Sequence, residues 1–219
     1  MKSRIHLVVF SLLLAAAPAA GQIFSVSGFA SWVDPSGRSS FQIDEGTSDL
    51  EQIDFDSEQG WGAAANFHLS RRISFEVAAS LVEPDLTARV NEPQVPFEFT
   101  EGLQMIPITG ILQFHLAPGA SFDPYIGAGV AYVLYDDIEG TDELDEIEVE
   151  RIDFDDDLGY AVNAGVGWYM ARNLGLYLDA KYVLSKSSAT AVFTEGPGVD
   201  AQEVKVDPLI LAAGLTLRF

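Results

Sequence analysis

Cysteine is missing from this chain altogether. A disulfide scaffold, a thiolate metal site and thiol chemistry are excluded with it. Positive charge is scarce as well. The sequence holds 12 Lys and Arg against 33 Asp and Glu, a formal net charge of −21. Recognition of a phosphate backbone needs Lys and Arg, so nucleic acid is excluded as a partner. Beyond the first residues the histidines are His68 and His115. No nucleophile elbow, phosphate-binding loop or zinc-ligand spacing occurs, so no catalytic residue, metal or cofactor is assigned. Long apolar runs are also lacking after residue 21, and a membrane helix needs about 20 consecutive apolar residues. Yet 48% of the residues are hydrophobic, too many for a disordered chain. That content belongs in a sheet.

The N-terminus reads as a cleaved signal peptide, residues 1–21. Lys2 and Arg4 form its basic region, Leu7 to Ala17 its apolar core, and Ala17-Pro18-Ala19-Ala20-Gly21 the small residues of a cleavage site. The remainder, 22–219, suits one exported domain.

What the mature chain does have is alternation. Apolar and small or polar residues exchange places over eight segments, about 23–33, 58–69, 73–90, 99–116, 124–135, 157–170, 174–190 and 204–219. In the seventh, Leu174, Leu176, Leu178, Ala180, Tyr182 and Leu184 oppose Tyr177, Asp179 and Lys181. The last ends in Leu215-Thr216-Leu217-Arg218-Phe219, a terminal aromatic on a closing strand. One face carries the large aliphatics and the other carries the charges. A charge on a lipid-facing position near mid-membrane costs about 2–4 kcal/mol for Arg or Lys, so the charged face is the lumen and the apolar face meets lipid. The connections at 70–72, 117–123 and 171–173 are short; those at 34–57, 91–98, 136–156 and 191–203 are mostly longer and polar. Such an asymmetry places short turns in the periplasm and long loops outside, with both termini periplasmic. The fold class is all-β: an eight-stranded antiparallel transmembrane β-barrel.

Asp123-Pro124-Tyr125-Ile126-Gly127-Ala128-Gly129-Val130-Ala131-Tyr132, then Gly165-Val166-Gly167-Trp168-Tyr169-Met170 leading into Leu176-Tyr177-Leu178-Asp179, and the ending Val204 to Phe219 together resemble the OmpW family of small outer-membrane proteins. The resemblance covers nearly the whole mature chain. It implies a narrow, largely hydrophobic lumen that binds or passes small hydrophobic molecules, and no enzymatic activity. The acidic loops depart from the family pattern. His68-Leu69-Ser70 superficially resembles the His-x-Ser of barrel lipid A deacylases, but its predicted place is a periplasmic turn, away from the outer leaflet.

Within the lumen, the apolar positions toward the outside are Phe29, Met105, Pro107, Ile111, Val133 and Ile210, with Val183 and Pro208 beside them. The polar positions toward the periplasm include Glu76, Asp179, Lys181 and Arg218, expected to pair as a plug because unpaired buried charges are costly. An apolar vestibule above a polar plug is one reading; side chains that merely pack the interior is the other, since eight strands enclose room for little more. Pro84 and Pro107 lie at similar heights on neighbouring strands. Proline donates no ladder hydrogen bond, so the pair marks either a lateral gap in the wall or two ordinary strand irregularities. The acidic run from Asp136 to Asp157 is either a solvated surface or a weak site for divalent cations bridging to lipopolysaccharide phosphates. Further expected partners are outer-membrane lipid and, through the C-terminal strand, the barrel-assembly machinery. The alternative to solute passage is a structural or surface-interaction barrel of the OmpA or OmpX type, with an inert lumen and functional loops.

Overall fold

The computed structural model describes residues 24–35, 39–42, 49–90, 97–136, 138–139, 149–154, 156–193, 199–205 and 207–219. Its strands, in chain order, are β1 (Phe24–Pro35), β2 (Ser39–Gln42), β3 (Asp49–Phe55), β4 (Glu58–His68), β5 (Ile73–Leu81), β6 (Asp85–Val90), β7 (Phe97–Gly102), β8 (Met105–His115), β9 (Phe122–Tyr135), β10 (Ile138–Glu139), β11 (Val149–Phe154), β12 (Asp157–Tyr169), β13 (Leu174–Leu184), β14 (Lys186–Phe193), β15 (Val199–Lys205) and β16 (Pro208–Arg218). Eight of them close into an antiparallel barrel in the order β1-β16-β13-β12-β9-β8-β5-β4, with β4 returning to β1. Closure removes the exposed edges that an open sheet would present.

Alternation decides what faces where. Along β13 the inward Gly175, Tyr177, Asp179, Lys181 and Val183 are buried, while the outward Leu174, Leu178, Tyr182 and Leu184 are exposed. Every barrel strand contributes large apolar residues to the outer surface, among them Trp61, Phe75, Leu112, Ile126, Val162, Leu178 and Leu215. A surface of this kind is unsuited to water and fits the hydrocarbon of a bilayer. The closing strand runs beside the first: Ser25 pairs with Arg218, and Phe219 N–H donates to the Phe24 carbonyl at 2.8 Å. Phe24 also packs on Phe67 with ring centroids 4.9 Å apart, so aromatics cover the closing seam at the short-turn end.

Four of the expected strands are not continuous. The segments 73–90, 99–116, 174–190 and 204–219 each break, after Leu81, Gly102, Leu184 and Lys205, and the outlying halves join two separate four-stranded sheets, β2-β3-β6-β7 and β10-β11-β14-β15. The expected loops 34–57 and 136–156 contain strands of these sheets. The breaks have local causes. Pro84 lacks the N–H that would continue the ladder after Val82. At Ser185 the backbone N–H turns to the Asp207 carboxylate, at 3.1 Å, instead of to a neighbouring strand. The predicted signal peptide, Gln22 and Ile23 lie outside the described residues, as do Asp137, the run 140–148 and Asp155 of the acidic segment.

Candidate functional site

The lumen is layered. Toward the loop end, Val33, Val82, Met105, Ile111, Ala131, Val133, Ala161, Val183 and Ile210 form one apolar cluster, none more than 4% exposed. Pro107 and Pro208 are buried at the same end. Of the residues expected there, Phe29 is placed differently. It sits one level down, with Ala64, Ala78, Tyr125, Tyr177 and Ala212, its ring 5.8 Å from that of Tyr177. The reason lies on the facing strand. Gly62 pairs with Phe29 across β1 and β4, and a Cβ at Gly62 would occupy the space of the Phe29 ring. Likewise Gly165 leaves room for the Tyr125 ring. Aromatic side chains fill the mid-lumen because their neighbours have none.

The middle layer is built around Lys181. Its Nζ donates to Asp179 Oδ1 at 2.6 Å and to Tyr177 OH at 3.0 Å. Glu76 Oε1 lies 2.9 Å from the same nitrogen, a charge contact with a poorer hydrogen-bond angle. The other Asp179 oxygen accepts from Tyr125 OH and from Asn163 Nδ2, each at 2.8 Å. Glu76, Asp179 and Lys181 are all at most 5% exposed. A lysine held between two carboxylates ties β5 to β13 across the barrel interior. Burial removes competing water, so the attraction is little screened. Arg218, expected in the same network, lies lower instead. Its Cζ stands 3.7 Å from the centroid of the Tyr169 ring, a cation–π contact.

The lowest layer contains a chain that the sequence reading missed. Ser74 Oγ and His115 Nε2 are 2.8 Å apart, and His115 Nδ1 lies 3.0 Å from Asp123 Oδ2. Asp123, expected to end the short connection 117–123, is instead the second residue of β9 and points inward. The two histidines, on strands that are not neighbours, nevertheless meet, with ring centroids 5.3 Å apart. They project into the lumen on either side of Ser74 on the intervening β5. The contact order is that of a Ser–His–Asp triad, but Ser74 is fully buried at 0% exposure and Gln113 Oε1 lies 3.3 Å from the same hydroxyl. Gln113 also accepts from Asn66 Nδ2 at 2.6 Å. The set therefore cross-links β4, β5, β8 and β9 into a polar floor.

Pro84 and Pro107 fall on one seam, between β5 and β8. The regular ladder there ends at the pair Ala79 and Ile108. Val82 and Met105 then exchange both backbone hydrogen bonds, at 3.1 and 2.9 Å, and Leu103 N–H donates to the Pro84 carbonyl at 2.9 Å. Pro84 has no N–H to return to Leu103. Pro107 lies two residues from Met105 on the same strand edge, opposite Ser80, and has none to give Ser80. Two donors are thus lost on either side of the Val82–Met105 bridge, and both bridge residues belong to the apolar cluster.

At the loop end Asp156 closes β9, accepting from the Tyr135 N–H at 3.2 Å and from Tyr132 OH at 3.0 Å. Among the described residues no group of three or more His, Asp or Glu is arranged to hold a metal.

The OmpW family model matches residues 19–219. The fold resembles that of outer membrane protein OprG from Pseudomonas aeruginosa, with a TM-score of 0.76, 19% identity, and coverage of 91% of this chain and 96% of that one. It resembles the outer membrane protein AlkL at a TM-score of 0.67 and 20% identity, over 93% and 94% of the two chains. An uncharacterized outer-membrane protein of Sinorhizobium fredii, y4mB, is 27% identical over 115 residues, 52% of this chain. The match spans 48% of that curated relative's length.

Proposed function

This chain belongs to the OmpW family and is an outer-membrane β-barrel, and from that premise we propose that it binds small hydrophobic molecules at the loop end of its lumen and passes them sideways into the membrane. One observation carries the reading: the apolar cluster reaches the wall at a stretch that lacks two backbone donors. Val82 and Met105 line the lumen and also form the backbone bridge between the two proline defects. A solute entering from the loop end meets apolar side chains, then the charged layer around Lys181. Crossing that layer would strip an apolar solute of favourable contacts and leave the ions unsolvated, which is expensive. Parting the β5–β8 seam costs fewer hydrogen bonds and leads to hydrocarbon. In this reading the short-turn end faces the periplasm with both termini, the protein is not an enzyme, and the closing strand is the segment offered to the barrel-assembly machinery. The Ser74–His115–Asp123 chain then serves to seal the floor.

A second reading has its own support. The cluster residues are almost fully buried, so the resting lumen is packed, as in a structural barrel whose loops carry the function. Uptake of an apolar fluorescent dye by cells that do or do not produce the folded protein separates the two. Faster uptake with the protein, lost on closing the seam, supports passage. Uptake independent of the protein supports the structural barrel.

A further inference from the structure

The charges on the outside of the barrel are sorted by end. Among the described side chains the exposed carboxylates are Asp56, Glu58, Glu83, Asp85, Asp136 and Asp156, and all lie at the loop end. The short-turn end carries Arg71 and Arg72 between β4 and β5, and Arg172 between β12 and β13, all exposed. The described side-chain carboxylate at that end is Asp123, buried against His115. A chain with 33 acidic and 12 basic residues has therefore kept one rim basic.

The arginines are also placed at a particular depth. Leu69, Leu116, Phe122, Trp168 and Met170, the neighbouring outward residues at this end, are exposed and apolar. An arginine next to such a belt lays its stem along hydrocarbon and holds the guanidinium at the headgroup plane. There its planar fork matches a phosphate diester, which it binds with paired hydrogen bonds. The backbone of the first turn is held for this. Ser70 Oγ accepts from the N–H groups of Arg72 and Ile73, at 3.2 and 3.0 Å. In the barrel order the β4–β5 turn and the β12–β13 turn lie on opposite sides, and the uncharged turn 116–121 lies between them.

We propose that the short-turn rim is a binding surface for anionic phospholipid headgroups, with a stronger site at Arg71 and Arg72 and a weaker one across the barrel at Arg172. The proposal rests on the orientation given above, in which this rim lies in the periplasmic leaflet. Phospholipid is favoured over lipopolysaccharide because the leaflet holding the latter meets the acidic rim. It is favoured over a soluble acidic protein because the arginines border the apolar belt instead of projecting beyond it.

The test is native mass spectrometry of the full-length folded barrel in neutral detergent, with phosphatidylglycerol, phosphatidylcholine or lipid A added. Preferential retention of phosphatidylglycerol is expected, weakening roughly fivefold for each arginine removed in Arg71→Gln/Arg72→Gln and in Arg172→Gln, and weakening with salt. Equal retention of the two phospholipids overturns the proposal. So does retention unchanged in the double variant while heat-modifiable gel mobility shows it folded. Preference for lipid A that is insensitive to these substitutions overturns it as well. Orientation is read separately. In a chain without cysteine, Asn173→Cys gives a single label site. Labelling by an impermeant reagent in intact cells would reject the orientation while leaving the measured headgroup binding as it stands.

Discussion

Replacing Pro84 and Pro107 together with valine restores two N–H groups to the β5–β8 seam. One faces the Leu103 carbonyl and the other faces Ser80, positions where the register around the Val82–Met105 bridge already brings the backbones together. A ladder hydrogen bond contributes about 1 kcal/mol net, and valine suits a strand better than proline does. The closed seam should gain about 2 kcal/mol, which at 1.4 kcal/mol per decade reduces the open population roughly 30-fold. Uptake of an apolar fluorescent dye by cells carrying Pro84→Val/Pro107→Val should fall toward the level without the protein, while each single variant falls part of the way. A covalent version controls for side effects of the valines. Leu81 and Ile106 stand opposite each other in the same register on the lipid face, a non-hydrogen-bonded pair of the spacing a disulfide accepts. With no other cysteine present, Leu81→Cys/Ile106→Cys should block uptake when oxidised and restore it when reduced. If the double valine variant and the oxidised pair both pass dye at the wild-type rate, with equal amounts of folded barrel, lateral passage through this seam is refuted.

The charged layer predicts a large penalty for Lys181→Met, which leaves Glu76 and Asp179 buried without their shared cation. Urea unfolding in detergent should show a loss of about 3–5 kcal/mol, and converting the carboxylates as well, in Glu76→Gln/Asp179→Asn/Lys181→Met, should recover most of it. Glycines separate by what faces them: Gly62→Ala should destabilise by about 1–3 kcal/mol by displacing the Phe29 ring, whereas Gly28→Ala, with no atom within 4 Å of the added carbon, should leave the unfolding midpoint nearly unchanged. An equal response at the two sites would contradict the packing described. The lipid-facing assignment predicts a depth gradient, in which Val162→Arg near mid-barrel costs about 2–4 kcal/mol and Leu158→Arg near the loop end about 0–1. A flat profile in refolding from urea into vesicles would argue against the membrane placement.

Much of the architecture was legible in the chain because a barrel strand repeats every two residues. Lys181 and Asp179 sit two apart among aliphatics, so one side of β13 had to be interior, and the same reasoning located Met105, Ile111, Val133 and Ile210 on the apolar side of the lumen. The terminal Phe219 likewise marked the closing strand, and it lies beside Phe24. Where a strand stops was not legible. An extension beyond the barrel keeps the same alternation, so 73–90 reads as one strand although Pro84 divides it. Which inward residues meet across the interior was not legible either. His68 and His115 touch over Ser74, and Arg218 lies over Tyr169 instead of joining Lys181, because strand tilt and stagger set relative height in a barrel and no local pattern encodes them.

By itself the sequence determined the two-faced strands, the eight that close the barrel, and the family. The strands follow from short-range periodicity, and the family from the resemblance carried by Asp123 to Tyr132, Gly165 to Asp179 and the closing segment. Only the tertiary structure decided that Asp123 is a buried partner of His115, that Phe29 drops into the space left by Gly62, and that Pro84 and Pro107 remove donors on either side of one bridge within the apolar cluster. Each of these is a meeting of residues far apart in the chain, fixed when the register of eight strands closes on itself.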